Sequence, residues 1–306
     1  MKKLETILVG TDFTPLADVA LAAALDLVRA TGAKRLHVVH VINTATAATI
    51  FPYSVPEAQL MQALERSVQE AQARLDGLDF VDAGYTITRK AILGPPGREL
   101  ALEAERVGAD LVVAASHGYG AVRRTLIGSV TSSLIRTAHC PVLVVGEERP
   151  CRMPFKNVLA SVDLSGVSRD ILGYAAGLAD EEAELHVLSL FEHPLVTYDG
   201  SDVLPRYVSE EEIARLAGEH AKAVQALVDQ VQHPPTLKVD IQAMSKAPAS
   251  QVILETEEIL QPNLIVLGTS GHNAWHRMIL GSTATRVVAE ARCPVLVVPH
   301  DVRHGD

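Results

Sequence analysis

Two glycine-rich stretches hold the residues best suited to chemistry. In the C-terminal half the apolar run Leu264 to Leu267 breaks into Gly268, Thr269, Ser270 and Gly271, and nine residues later come Gly281, Ser282 and Thr283. The N-terminal half carries a near-copy, in which Leu111 to Ala115 is followed by Gly118, then by Gly128, Ser129 and Thr131. Glycine lets a backbone approach a ligand closely, and a helix N-terminus presents free N–H groups with partial positive charge. Strand, glycine loop and helix start together suit a phosphate-type anion, with hydroxyls as further donors. An aspartate follows the first apolar run of each half, Asp12 after ILVGT and Asp163 after VLASV.

Other chemistries fit less well. No Gly-Lys-Ser or Gly-Lys-Thr loop supplies the lysine of ordinary phosphoryl transfer. Gly118-x-Gly120 is followed by Arg123 where a dinucleotide fingerprint needs glycine, and no Gly-x-Ser-x-Gly elbow occurs. Ser270 and His272 lack an orienting acid nearby in sequence. His272 and His276 have the i,i+4 spacing of a helical metal pair, whereas His37 and His40 fall on opposite faces of a strand. In both pairs incidental placement outweighs ligation, and His220 reads as a packed histidine on a helix face.

These residues must be positioned by a repeated framework. Cys140-Pro141-Val142-Leu143-Val144-Val145 recurs as Cys293-Pro294-Val295-Leu296-Val297-Val298, and Gly118 and Gly128-Ser129 recur in register as Gly271 and Gly281-Ser282. Strand-like runs in the first copy are Thr6 to Thr11, Leu36 to Ile42, Tyr85 to Ala91, Leu111 to Ala115 and Val142 to Val145. Those of the second are Asn157 to Val162, Glu184 to Leu190, Lys238 to Ala243, Leu264 to Gly268 and Val295 to Val298. Helical patterns lie between them. Thr14 and Pro15 open one that Gly32 ends, and Ser209-Glu210-Glu211-Glu212 forms a capping box. The expected architecture is α/β: two tandem domains, residues 1–148 and 154–301, each a five-stranded parallel sheet flanked by helices. Ligands of such sheets bind beyond the carboxyl ends of the strands where the strand order reverses, so aspartate and glycine loop should face each other there. The fifth strand, VLVV, is apolar on both faces, and an exposed apolar edge invites pairing. The two copies are therefore expected to join edge to edge as an intrachain pseudo-dimer, with homodimerisation of the whole chain left open.

Composition narrows the function. The 306 residues are 48% hydrophobic, enough to bury the cores of two domains, and the net charge of −10 disfavours non-specific nucleic-acid binding. No apolar run is long enough to cross a membrane, and the segment from Met1 to Glu5 enters a strand-like run without a signal-type stretch. Three sparse cysteines, Cys140, Cys151 and Cys293, suit a reducing cytoplasm.

With glycine pattern, aspartate and closing PVLVV strand in register twice, almost the whole chain resembles a tandem universal stress protein. The resemblance implies Rossmann-like domains of the adenine-nucleotide alpha-hydrolase type, binding ATP or a related adenine nucleotide, with or without Mg2+. It places Asp12 and Asp163 at base or ribose. Gly268, Gly271, Gly281, Ser282 and Thr283 would wrap ribose and phosphates in the second copy, and Gly118, Gly128, Ser129 and Thr131 in the first. Ala115 departs from the pattern, because the second copy has Gly268 there; its methyl group could crowd a ribose or resist a positive φ, so the second site is favoured. Against this, Trp275 could fill the second pocket, while Arg123 and Arg124 could neutralise phosphates in the first. The implied role is regulatory, in cytoplasmic stress adaptation through an unidentified protein partner. The alternatives are a slow ATP hydrolase and a nucleotide-free scaffold with degenerate pockets.

Overall fold

Short runs of β-branched and aliphatic residues between helical patterns become strands, the inner ones buried on both faces. The structure, a computed structural model, describes residues 4–44, 57–80, 84–116, 127–146, 151–192, 196–197, 206–207, 209–231, 237–244, 248–269 and 280–300. The N-terminal half runs β1 (Thr6–Gly10), α1 (Pro15–Thr31), β2 (Arg35–Ile42), α2 (Glu57–Asp76), β3 (Thr86–Leu93), α3 (Pro96–Val107), β4 (Leu111–Ala115), α4 (Ser129–Thr137) and β5 (Val142–Val145). The C-terminal half runs β6 (Phe155–Val162), α5 (Ser168–Leu178), β7 (Ala179–Glu192), β8 (Val196–Thr197), β9 (Arg206–Tyr207), α6 (Glu210–Val228), β10 (Leu237–Met244), α7 (Ala249–Leu260), β11 (Leu264–Gly268), α8 (Ser282–Glu290) and β12 (Val295–Val298).

The helix limits follow local chemistry. Thr14 is extended and accepts the Ala17 N–H at the start of α1, where Pro15 loses no helical bond; Gly32 ends it at φ 68°. Ser209 accepts the Glu212 N–H and opens α6 beside three glutamates that favour a helix N-terminus.

Ten strands form one sheet in the order β10-β7-β6-β11-β12-β5-β4-β1-β2-β3. Within each half of this sheet every pairing is parallel, and the strand order reverses between the first and fourth strands, β1 beside β4 and β6 beside β11. The halves meet where β12 pairs antiparallel with β5, Val295 opposite Val144, Leu296 opposite Leu143 and Val297 opposite Val142. Leu143 and Leu296 are equivalent in the repeat, so a pseudo-twofold axis passes between them. Alternate residues feed two cores that each continue through this join. Leu143, Val145, Leu296 and Val298 pack on one face with residues of α1, α2, α5 and α6. Val142, Val144, Val295 and Val297 pack on the other with residues of α3, α4, α7 and α8.

Two details depart from the expectation. β7 begins at Ala179 rather than near Glu184, because Phe155 pairs with Ala179 across a register shift and extends the ladder through an acidic stretch. A two-residue ribbon, β8 with β9, adds to the five strands expected of the second half; two residues are too few to show alternation.

Candidate functional site at the strand reversal

The crevice in each half is bounded on one side by the turn after the first strand. Asp12 is exposed there, and its Oδ1 accepts the Thr14 N–H at 3.1 Å and the Thr14 hydroxyl. Asp163 is half-buried, and its Oδ1 accepts the Ser165 N–H at 3.1 Å and the Ser168 hydroxyl at 3.2 Å. Each aspartate thus ties down the turn with one oxygen. The next residue is left-handed in both copies, Phe13 at φ 61° and Leu164 at φ 60°. A bulky side chain at such a φ costs on the order of 1 kcal/mol, so the matched pair marks a turn imposed by the surrounding fold.

The opposite wall is the helix that follows the glycine loop. Gly128 N–H donates to Ser116 O at 2.9 Å and Gly281 N–H to Thr269 O at 2.7 Å, closing both loops with the same bond. Ser116 and Thr269 are themselves anchored to the fifth strands, through Val145 O and Val298 O. Neither α4 nor α8 has a side-chain cap or an acidic residue in its first turn. Among the described residues, the N–H groups of residues 129–131 and 282–284 have no acceptor, whereas those of Ser132 and Thr285 donate to Gly128 O and Gly281 O. An anion is the natural complement of such a terminus.

The remaining predicted residues divide. Gly118 and Gly271 lie outside the described residues, as do Arg123, Arg124, Ser270, His272, Trp275 and His276. Gly128, Ser129, Gly281, Ser282 and Thr283 come together at their helix starts. Thr131 is buried, and its hydroxyl donates to Ala115 O at 2.6 Å, fastening α4 to the end of β4. That proton is already engaged within the fold. The second copy has Ala284 at the matching place, one residue beyond Thr283. Ala115 and Gly268 end their strands in matching register, opposite Val145 and Val298. Neither has a positive φ, so any difference between them rests on the methyl group rather than on backbone strain.

Two histidines near the crevice have partners that their spacing in the sequence does not show. His40 Nδ1 donates to Thr11 O at 2.8 Å, and its ring lies 4.6 Å from that of Phe13, which Arg74 covers at 4.1 Å. In the second copy Ser189 takes the place of His40: its hydroxyl donates to Val162 O at 3.0 Å and accepts from His220 Nε2 at 2.8 Å. An imidazole is therefore linked, directly or through a serine, to the carbonyl just before each aspartate. Only a superposition of the strand registers reveals this, because the two histidines come from different elements. Burial lowers the His220 pKa.

His37 faces the other way. Its Nε2 meets Glu103 at 2.7 Å, and Lys90 and Arg106 also bind that carboxylate. The Arg106 hydrogen bonds, with Lys90 and His37 behind them, outweigh desolvation and lower the Glu103 pKa to about 2. Burial lowers that of His37. This cluster braces β2, β3 and α3 away from the crevice. Among the described residues no group of three or more histidines, cysteines or carboxylates is placed to hold a metal, and no helix is long and apolar enough to cross a membrane.

Comparison with known proteins agrees with this doubled geometry. The model of the universal stress protein family matches residues 3–146 and again 154–299. A universal stress protein of Mycobacterium tuberculosis is 32% identical over 312 residues, covering 96% of each chain. Universal stress protein A homolog 1 of Coxiella burnetii is 33% identical over 147 residues, 48% of this chain and 97% of its own. The crystal structure of a putative universal stress protein from Pseudomonas aeruginosa shares the fold at TM-score 0.62 and 23% identity, over 98% of this chain and 95% of that one. With its family pattern present in both halves and a relative aligned over nearly its full length, the chain belongs to the universal stress protein family.

Proposed function

We propose that the protein is a regulatory, non-catalytic binder of ATP or a related adenine nucleotide, acting in the cytoplasm in stress adaptation. The observation that carries this reading is the pair of uncapped helix starts at Ser129 and Ser282, each at the crevice that Asp12 or Asp163 borders. Phosphates would lie against the first-turn amides of α8, with Gly281, Ser282 and Thr283 around them and Gly268 and Gly271 beside the ribose. Asp163 would offer its second carboxylate oxygen to base or ribose. Asp12, Gly118, Gly128 and Ser129 would do the same in the first copy, while Thr131 would support that helix from behind. The family resemblance supports an adenine nucleotide over other anions. The chain has no Walker-type lysine, which favours binding over turnover.

The test is direct. Denaturing the purified protein should release an adenine nucleotide, or the emptied protein should bind ATP in calorimetry with a stoichiometry of one or two. A chain that releases none and takes up none would leave the scaffold reading, in which the family fold works through partner binding alone.

A further inference from the structure

The sheet has two outer edges, β3 and β10, and the protein treats them differently. An unpaired edge strand presents N–H and C=O groups that another strand can bind, and folded proteins commonly cover them. On β3 the cover is a side chain. Gln72 of α2 accepts the Ala91 N–H at 2.9 Å and donates to Arg89 O at 3.4 Å, using its primary amide as a strand would use a peptide group. Arg89 adds to this by donating to Leu78 O and stacking on Phe80.

The repeat supplies the same glutamine on the other edge. Ala71 and Leu75 of α2 correspond to Val224 and Val228 of α6 as buried positions, so Gln225 matches Gln72 and Asp229 matches Asp76. Gln225 Nε2 donates to Asp229 Oδ1 at 2.8 Å, and among the described residues it makes no bond to β10. Thr88 opposite His37 corresponds to Lys238 opposite His186, so Arg89 and Ala91 correspond to Val239 and Ile241. The N–H and C=O of Val239 and Ile241 therefore point outward, away from β7.

We propose that β10 is a self-association edge, and that its occupant is β10 of a second copy of this chain, paired antiparallel about a twofold axis at Val239. Charge complementarity selects this occupant and this register. With Val239 opposite its own copy, the two residues exchange both N–H···O bonds, and position 238 falls opposite position 240 in the closer, non-hydrogen-bonded pair. The sequence there is Lys238-Val239-Asp240, so positions of opposite charge fall opposite each other in the register on both sides of the axis. Lys238 is exposed and holds Glu184 at 3.1 Å, within reach of the edge. The two chains would then share a sheet continued through β10, with both crevices of each chain left open.

The test is the solution mass, by light scattering and sedimentation across a concentration series of the full chain. A concentration-dependent dimer of twice 32.8 kDa is expected. Val239→Pro, which removes an outward N–H without touching the β7 ladder, should return it to monomer. Lys238→Asp should weaken the dimer by about tenfold, since like charges then oppose each other at two symmetric places. Adding Asp240→Lys should restore it, although position 238 then still opposes Glu184. A merely structural role for Lys238 would give no such rescue. If Val239→Pro proves unfolded by circular dichroism, the charge swap decides alone. A monomer at every concentration overturns the proposal, including one whose edge binds an extended peptide instead. A dimer indifferent to the charge swap overturns it too.

Discussion

Leu143 and Leu296 stand directly opposite each other across the antiparallel junction of β5 and β12, both fully buried. Each closes the sheet of its own half and fills the core of the other. The strand that would be a sticky apolar edge in an isolated domain is here internal, and one core on each face runs through both copies. Leu143→Ala or Leu296→Ala should therefore cost about 2–5 kcal/mol, the range for emptying a buried leucine. Because the site is shared, either substitution should lower one cooperative unfolding transition in calorimetry. Two separate transitions, with only the mutated half shifted, would show that the join couples the halves weakly.

The Glu103 cluster gives stability a defined pH dependence. The folded pKa of Glu103 is lowered to about 2 from 4.5, chiefly by Arg106. Its stabilisation is fully present above the unfolded value and is lost as pH falls through the window from 4.5 toward 2. His37 adds loss in the same direction: its folded pKa lies below 6.5, so the unfolded chain takes up that proton first as pH drops. Stability should decline below about pH 6.5 and more steeply below about pH 4.5. Glu103→Gln should cost about 2 kcal/mol at neutral pH and flatten the lower part of the profile. Urea melts of both proteins from neutral pH to pH 3 would measure it; parallel profiles would remove Glu103 from the account.

At the start of α8, folding and binding should respond in opposite directions. Ser282 is the first helical residue, the terminus lacks a side-chain cap, and no acidic residue occupies its first turn. Ser282→Asp places a carboxylate where the helix dipole favours it, and should stabilise the empty protein by about 0.5 kcal/mol. The same charge would repel a phosphate, weakening nucleotide binding by about tenfold or more. Thermal melts of the emptied protein and calorimetric titration with ATP read the two effects separately. Binding that survives unchanged would move the phosphates away from α8.

Much of this arrangement was legible in the sequence because buried parallel strands are near-continuous apolar runs and because the motif is written twice. The caps at Thr14 and Ser209 and the stop at Gly32 follow from short-range chemistry, and the structure places them there. The left-handed Phe13 and Leu164 were not legible. No local preference puts bulky side chains at φ near 60°; the geometry is forced by the aspartate-anchored turn around them. The His220–Ser189 link was hidden for another reason. Its function in the first copy belongs to His40 on a strand, and the second copy moves the imidazole to a helix. The early start of β7 rests on pairing with Phe155 and runs against the acidic character of its residues.

Ala115 and Gly268 allow the two crevices to be compared by exchange. Both end a strand with ordinary φ, so each accepts the other's residue without backbone strain. Gly268→Ala should fold normally, or gain a few tenths of a kcal/mol from the loss of glycine's freedom in the unfolded chain. If the methyl group crowds the ribose, this substitution should weaken binding at the second site by about tenfold, and Ala115→Gly should strengthen it at the first. The cost of Ala115→Gly to the fold should stay near 1 kcal/mol, and the Thr131 hydroxyl should keep its bond to the residue 115 carbonyl, since a backbone oxygen accepts it. Stoichiometry and affinity for ATP across the two single variants and the double exchange would check this. Reciprocal shifts would assign the difference between the sites to one methyl group. Unchanged binding in both variants would mean that the carboxyl ends of β4 and β11 do not touch the ligand, and that selectivity comes from the loops beyond them.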